Sequence, residues 1–282
     1  MEELQNASLQ RLDQWLARSW STVPMEYQWL LLQTLATTAS RRAWIMTWPD
    51  AAGGTILDWG SGPGIISQEI ALLKRCLVVG SDLDPNVLEL AQAVSHLFDM
   101  ERQVRFKKAD ILSDAASEPA EGIVSRFVTQ YLPDLNQFFA QARAHLKPGG
   151  FLALEDIDDG YLIEHPAPPE AWQNAVQAFQ RYQAGPGGDR FVGRKLAHAG
   201  VQNGFELASV VLNPSVFAGE MNAQDLSVQF DIDRINRALP EMIRQGLITE
   251  SDWYRAQQEY RSSFPKFTFV SSSTIRLLFR RP

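Results

Sequence analysis

Short apolar runs alternate with amphipathic segments between about residue 55 and residue 160. Five of these runs have the length, the apolar character and the flanking turns of strands that are covered on both faces. They lie at residues 55–58, 76–81, 104–106, 122–126 and 151–155. The pattern therefore predicts a sheet whose strands are separated by helices.

Two of the intervening segments show the apolar spacing of helices. Pro85 occupies a first-turn position after Asp84, and apolar side chains recur at 87, 88, 91, 94 and 98. A second apolar stripe comprises Leu135, Phe138, Phe139, Ala142 and Leu146. It stops at LKPGG, whose proline and glycines predict a turn. Repeated strand–helix–strand units with right-handed crossovers predict an α/β fold with a parallel, doubly wound sheet.

Helical patterns also flank this α/β region. The segments DLSVQFDIDRINRALPEMIRQGL and ESDWYRAQQEYRSSF precede a last predicted strand at residues 267–279. We predict an N-terminal helical lid over residues 1–50, a core over 51–212, a helical cap insert over 213–265 and a final core strand over 266–282. The lid and the insert are expected to close over a pocket, exclude water and set specificity.

The composition limits the classes of partner that we expect this protein to bind. The chain has 282 residues, 45% of them hydrophobic, and a net charge of −7. It lacks the basic stripe of a nucleic-acid-binding protein, so no nucleic-acid partner is expected. The N-terminal MEELQNASLQ has no apolar block, and no segment is long enough to span a bilayer, so no membrane partner is expected. A single cysteine, Cys76, predicts a core position and a reducing, cytoplasmic location.

The segment ILDWGSGPG spans the end of the first predicted strand and the loop after it, and it indicates a ligand site. Ligands of doubly wound sheets bind beyond the carboxyl ends of the strands. Gly60, Gly62 and Gly64 permit positive φ and close approach of a ligand, Pro63 stiffens the loop, and the next helix directs its amino end at the ligand. Asp58, at the strand end, would accept hydrogen bonds and favour a nearby cation.

The spacing of this loop narrows the kind of ligand. Ile65 stands where the dinucleotide fingerprint has its third glycine, and no GxxxxGK[ST] phosphate loop is present. In VVGSDLDP, Asp82 ends the second predicted strand, where an acid can bind both hydroxyls of a ribose. The sequence therefore predicts a nucleoside ligand without phosphate groups.

Five segments together carry a family resemblance: DWGSGPG, the strand-end Asp82, KADIL with Asp110, SRFVTQYLPD and LKPGG. They resemble the class I S-adenosylmethionine-dependent methyltransferases, in particular the branch that acts on small molecules. The resemblance is marked over residues 55–158 and weaker in GDRFVGRKLAHAG and EMIRQGLITESDW. It implies a Rossmann-like, seven-stranded, mostly parallel sheet with N-terminal helices and a helical insert before the last strand.

The resemblance also implies which residues bind the cofactor, S-adenosylmethionine, whose product is S-adenosylhomocysteine. These residues are Tyr27, Gln33, Asp58, Gly60, Ser61, Gly62, Gly64, Asp82, Leu83, Asp110, Ile111, Arg126 and Phe127. Asp58 and the glycine loop would surround the methionine part, and Asp82 would bind the ribose. Leu83, Asp110 and the Ile111 amide would contact the adenine. Arg126 and Phe127 would line the far side, and Tyr27 and Gln33 would fold over the cofactor from MEYQWLLLQ.

The implied reaction is in-line transfer of a methyl group to oxygen, nitrogen or carbon of a small-molecule acceptor. Because the cofactor is already activated, the protein mainly supplies alignment and a dry pocket, and a catalytic base is optional. The candidate groups are Tyr131, Glu155, Asp156, Asp158, Asp159 and His165, and the sequence singles out none of them. No metal is expected, since a metal-dependent catechol-type enzyme would have a carboxylate where this chain has Ser125 and Arg126.

Three alternative functions stay open at this point. One is a related aminopropyl transferase, although the paired strand-end acids expected around a polyamine are missing. The second is a non-catalytic protein that binds S-adenosylmethionine and serves in regulation or assembly. The third is a dehydrogenase, which the GxGxG spacing disfavours.

Overall fold

The computed structural model describes residues 2–115, 119–264 and 267–282. Within these ranges the strands are β1 (Thr55–Trp59), β2 (Leu77–Asp82), β3 (Val104–Lys108), β4 (Ala120–Arg126), β5 (Leu146–Ile157), β6 (Ile163–His165), β7 (Glu206–Gly219) and β8 (Thr268–Arg280). The helices are α1 (Glu2–Ser19), α2 (Met25–Ala36), α3 (Thr38–Thr47), α4 (Ile65–Lys74), α5 (Pro85–Leu97), α6 (Leu135–His145), α7 (Glu170–Ala184), α8 (Gly193–Gln202), α9 (Leu226–Arg244) and α10 (Glu250–Ser262). Short 3-10 turns cover Thr129–Tyr131 and Asp159–Tyr161.

The strands form one mixed sheet in the order β3-β2-β1-β4-β5-β8-β7. The first five of these strands are parallel, whereas β8 is antiparallel to both β5 and β7. The short β6 pairs with β8 at Phe269–Ser271, beyond the stretch of β8 that pairs with β5, and makes an eighth strand. The prediction of a doubly wound, mostly parallel sheet is confirmed.

The five predicted strands occur with small shifts, and the largest difference lies at LKPGG. Helix α6 ends before this segment, as predicted. However, the segment belongs to β5: Leu146 pairs with Ala120, and the register then shifts before Gly122 pairs with Phe151. Gly149, with φ of +77°, permits the irregularity. The predicted turn is therefore an interruption within an extended strand.

Two layers of helices cover the sheet because neighbouring strand residues point to opposite faces. On one face Leu57, Ile123 and Leu152 pack against α6 and α8. On the other face Ile56 and Val124 pack against α3 and α4. Asp84 and Asp134 accept hydrogen bonds from the first amides of α5 and α6 and so fix where these two helices begin.

A third hydrophobic cluster joins α7, α9 and α10 into a helical cap. Trp172 of α7 stacks on Tyr260 of α10, with ring centroids 3.9 Å apart and planes 3° from parallel. Ile232 and Ile235 of α9 are buried in the same cluster. The cap thus includes α7, which lies within the segment that the sequence assigned to the core. Strand β7 runs to Gly219, so the helices after it begin later than residue 213.

The N-terminal helices pack on the core. Leu12 of α1 and Leu31 of α2 are buried against Ile65 of α4 and Val94 of α5. Arg41 of α3 is fully buried and forms a two-point ion pair with Glu69 of α4. The boundary predicted at 265/266 lies outside the described residues, and the division into lid, core and cap stays a prediction. In the described part of the chain, no helix has the length and apolarity needed to cross a membrane.

Candidate functional site

The glycine loop after β1 requires glycine at three positions. Gly60, Gly62 and Gly64 all have positive φ, at +76°, +51° and +73°. A β-carbon on Gly60 would lie 2.2 Å from Cγ2 of Val128, and one on Gly64 would lie 2.4 Å from Cζ of Phe106. These two glycines are therefore required by packing as well as by backbone geometry.

Gly62 differs from its neighbours because the space beside it is open. A β-carbon there would have Leu30 Cδ1 as its nearest neighbour, at 3.9 Å. Its amide donates to Oδ2 of Asp82 at 3.0 Å, and the Asp84 amide donates to Oδ1 of Asp82 at 3.1 Å. The Asp82 carboxylate is held by two amides and keeps a free lone pair on each oxygen. The open space at Gly62 and this oriented carboxylate fit the ribose and adjoining part of a nucleoside.

Asp58 is buried at the end of β1 and accepts a hydrogen bond of 2.6 Å from the Ser67 hydroxyl. Burial raises the pKa of Asp58 to about 6, against the opposing effects of Ser67 and the nearby Arg126. A carboxylate enclosed in this way favours a positively charged neighbour, because a cation would offset its lost hydration.

The residues predicted to contact adenine lie on the adjoining turns. Leu83 is 62% exposed directly after the Asp82 carboxylate. Asp110 is exposed on the turn after β3, while the side chain of Ile111 is buried in the core. The Ala109 amide donates to the Asp82 carbonyl at 3.1 Å and so ties the two turns together. The structure thus brings these residues together at the carboxyl ends of β2 and β3.

Tyr27 reaches these strand ends from α2. Its hydroxyl donates to Oδ2 of Asp84 at 2.8 Å. Burial and the Asp84 carboxylate raise the pKa of Tyr27 to about 12. Tyr27 therefore anchors α2 beside the predicted ribose site through the residue that caps α5.

A cavity of about 530 Å³, which we call the main cavity, lies between α2, the end of β4, the strands β7 and β8, and α9. Two predicted cofactor residues, Gln33 and Phe127, line it, together with Trp29 and Phe230. Phe127 has a φ of +58°, an uncommon left-handed conformation for a bulky residue, and its amide donates to the Glu155 carbonyl at 2.8 Å. Strained backbone of this kind clusters at functional sites.

A buried ion-pair network supports this region from below. Glu155 of β5 binds Arg126 of β4 and Arg276 of β8, and Arg276 also donates to the Ser40 carbonyl of α3 at 2.8 Å. Burial acts to raise the pKa of Glu155, but the two guanidinium groups outweigh it and lower the pKa. The predicted contact of Arg126 with the cofactor stays a prediction, and the side chain already binds Glu155.

The six candidate catalytic groups predicted from the sequence have different surroundings in the structure. Glu155 is committed to the two arginines, and the buried Asp156 accepts hydrogen bonds from the 3-10 turn after β4. Asp158 and Asp159 each form a two-point ion pair with an arginine. Of the six candidates, Tyr131 is the one that lines the main cavity. Its side chain is half exposed.

Sequence reasoning missed two charged residues of the main cavity, Arg190 and Arg234. Arg190 lies in the GDRFVG segment before α8, and Arg234 lies on α9 between the buried Ile232 and Ile235. For Arg234, the signal available in the sequence was a charged side chain within the apolar stripe of a helix. Across the described residues, no group of three or more histidine, cysteine, aspartate or glutamate side chains could hold a metal ion.

A mixed, mostly parallel sheet with a glycine loop after its first strand and an acid at the end of its second is the arrangement of the Rossmann-like class I methyltransferases. A family model described as a methyltransferase domain matches residues 32–210, which is more than half of the chain. The chain therefore belongs to this family of class I S-adenosylmethionine-dependent methyltransferases.

Individual relatives are more distant. Trans-aconitate 2-methyltransferase of Azoarcus sp. (strain BH72) is 33% identical over 109 residues, which cover 38% of this chain and 39% of that protein. A proposed methyltransferase of Bacillus halodurans C-125 superimposes with a TM-score of 0.57 at 17% identity, over 86% of this chain and all of the other. Geranyl diphosphate C-methyltransferase of Streptomyces coelicolor A3(2) gives a TM-score of 0.54 at 14% identity, over 91% and 82%. The two structural likenesses show a shared fold.

Proposed function

We propose that the protein is an S-adenosylmethionine-dependent methyltransferase that moves a methyl group by in-line displacement to oxygen, nitrogen or carbon of a small organic acceptor. The observation that carries this proposal is the open space at Gly62 beside the amide-held Asp82 carboxylate. A nucleoside at that place can extend past Asp58 toward Phe127 and the main cavity.

The cofactor supplies the activated methyl group on its sulfonium. The chain's own residues bind and align it: Asp82 accepts from the ribose, and the Gly62 backbone allows close approach. The ionised Asp58 favours the cofactor's positive charge, while Phe127 separates the cofactor side from the main cavity. Leu83 and Asp110 are placed to contact the adenine. These roles require no group that loses or gains a proton.

The acceptor is proposed to occupy the main cavity. Helix α2 and helix α9 meet above it, where Trp29 and Phe230 have ring centroids 6.2 Å apart. Their side chains and Tyr131 give this side of the cavity a largely aromatic wall. The names of two similar proteins mention trans-aconitate and geranyl diphosphate, both small organic molecules. This supports a small-molecule acceptor here.

Binding of the cofactor can be tested by isothermal titration with S-adenosylmethionine, S-adenosylhomocysteine and NAD. We expect micromolar affinity for both sulfur nucleosides and no heat from NAD. Absence of binding by either sulfur nucleoside would contradict the proposal.

Turnover separates an enzyme from a protein that only binds the cofactor. Radiolabelled methyl from S-adenosylmethionine should appear in one member of a panel of amines, phenols and enolisable compounds. Binding without any transfer across the panel would instead support a regulatory or assembly protein. The methyltransferase relatives do not favour that alternative, and a cytoplasmic location stays a prediction.

The lid role of α2 and of the cap can be tested by limited proteolysis. Both segments should become more protected when S-adenosylhomocysteine is added, because α2 carries Tyr27 and Gln33, which are predicted to contact the cofactor, and α9 packs against α2. Helix α8, which packs on the core against α6, provides the control, since its protection should not change. Equal cleavage of α2 and α9 with and without cofactor would contradict a lid.

A further inference from the structure

The charge of the main cavity points to the chemistry of the acceptor, an inference that rests on the proposed function. Among the described residues that line this cavity, Arg190 and Arg234 are the charged ones and none carries a carboxylate side chain. The other polar lining groups are amides and hydroxyls, such as Gln130 and Asn213. The cavity therefore presents positive charge within an otherwise neutral, aromatic wall.

The two arginines differ in how well they are paired. Arg190 binds both oxygens of Asp159 at 2.8 Å and also donates to Oε1 of Gln130 at 3.1 Å. These contacts have the short, two-point geometry of a strong arginine–carboxylate pair. Arg190 is thus occupied by the protein itself.

Arg234 is poorly paired by comparison. Its nearest carboxylate is that of Asp231, one turn earlier on α9, at 3.5 Å from Nη2. This separation is longer than the 2.7–2.9 Å typical of a charge-assisted hydrogen bond. Its Nε is enclosed and has no hydrogen-bond partner among the described residues. Burial lowers the pKa of Arg234, which reflects the cost of holding its charge there.

We propose that Arg234 binds a carboxylate of the methyl acceptor, so that the substrate is an organic acid with an apolar or aromatic body. A carboxylate matches the planar guanidinium with two parallel hydrogen bonds and restores the missing acceptors. The aromatic side chains of Trp29, Tyr131 and Phe230 would hold the apolar body against α2 and the end of β4.

The surroundings of Arg234 favour one negative charge over two. A second cavity of about 480 Å³ adjoins the main cavity, and Arg234 lines both. Asp231 and Glu164 line this second cavity. A dianion such as a phosphate monoester would meet repulsion from these acids, whereas a carboxylate brings a single charge.

The test measures binding to the protein saturated with S-adenosylhomocysteine. The probes are benzoate, phenylacetate and hexanoate, each beside its primary amide, together with phenyl phosphate. We expect at least one acid to bind about 10- to 100-fold more tightly than its amide, because charge-assisted hydrogen bonds to arginine are lost in the amide. Phenyl phosphate should bind more weakly than that acid.

Variants assign the effect to Arg234. Arg234→Met should remove the preference for the acid over its amide and leave the affinity for S-adenosylhomocysteine unchanged. Arg244→Met is the matched control on the same helix, because Arg244 is 73% exposed and pairs with Glu241 at the surface. It should keep the full preference. If Arg234→Met fails to bind S-adenosylhomocysteine because it is misfolded, Arg234→Gln replaces it with the same expected result.

Three results would overturn the carboxylate proposal. They are equal affinity for every acid and its amide, an unchanged preference for the acid in a folded Arg234 variant, and tighter binding of phenyl phosphate than of all the carboxylates. Failure of wild-type protein to bind S-adenosylhomocysteine would instead overturn the proposed function, so the two failures are distinguishable.

Discussion

The proposed cofactor side and the proposed acceptor side of this molecule are assembled in different ways. On the cofactor side, Asp58, Gly62 and Asp82 come from the ends of two adjacent parallel strands and lie within 24 residues of each other in sequence. On the acceptor side, Trp29, Tyr131 and Arg234 line one cavity, although more than 90 residues separate each from the next. The cofactor side is therefore a local feature of the chain, whereas the acceptor side exists only once the cap has packed.

The two sides share one support, the buried network of Glu155 with Arg126 and Arg276. This network joins three strands and, through Ser40, the N-terminal helix α3. Variants of the shared network should affect both sides, while variants of the cofactor side should leave the acceptor side unchanged. The following predictions test that separation.

The largest effect is expected for Glu155→Gln. It leaves two buried guanidinium groups without their carboxylate, which should lower the free energy of unfolding by about 3–5 kcal/mol. Chemical denaturation measures this loss, and Glu241→Gln is a control because Glu241 pairs with an arginine at the surface. The control should not change the unfolding midpoint. A Glu155 variant as stable as wild type would show that the network is not a shared support.

A smaller effect, confined to the cofactor, is expected for Asp82→Ala. Loss of the ribose hydrogen bonds should weaken S-adenosylmethionine binding by about 1.5–3 kcal/mol. Asp50→Ala is the matched control, because Asp50 also accepts from a backbone amide but lies before β1 at the opposite edge of the sheet. Titration of both variants measures the difference. Equal affinity in the two would place the cofactor elsewhere.

Gly62→Ala tests the open space beside the loop. Alanine at positive φ costs about 1–2 kcal/mol of stability, and its methyl group would also occupy the space proposed for the cofactor. Gly149→Ala carries the same backbone cost at φ of +77°, with no atom within 4 Å of the new carbon. We expect similar melting temperatures but a loss of cofactor affinity of at least about 10-fold in Gly62→Ala alone. Retained affinity would refute the proposed cofactor position.

The mildest prediction concerns pH. Because burial raises the pKa of Asp58 to about 6, its carboxyl group stays protonated in the folded free protein between about pH 4 and pH 6. In the unfolded chain the same group has lost its proton in this range. The contribution of Asp58 to stability therefore falls as pH rises through that window and is constant above it. A bound cation favours ionised Asp58, so cofactor affinity should fall below pH 6 by up to about 10-fold per pH unit.

Asp58→Asn and Asp156→Asn make a matched pair for this test, since burial also raises the pKa of Asp156 to about 6. S-adenosylmethionine is titrated into each variant at about pH 7.5, 6.5 and 5.5. The affinity of Asp58→Asn should not change with pH. The Asp156 variant should keep the slope of wild type. A sloping profile in Asp58→Asn would assign the pH dependence to another group.

Local sequence patterns were enough to predict where the glycine loop and the strand-end acids lie. The glycine loop, the strand-end acids and the capping residue Asp84 each act over a few residues, and the structure brings Gly62 and Asp82 into direct contact. The role of Glu155 could not be predicted in this way. It was one of several acids at and after the end of the fifth predicted strand, and only its contacts with Arg126 and Arg276 show that its charge is already neutralised.

The sequence by itself determined the sheet, the position of the ligand loop and the family, because strand periodicity, glycine backbone freedom and helix capping depend on neighbouring residues. The tertiary structure alone decided that α7 joins α9 and α10 in the cap, and that Arg234 lines a cavity with Phe127 and Gln33. The physical reason is that burial and pairing of a charge depend on which distant elements pack around it, and no local spacing records that packing.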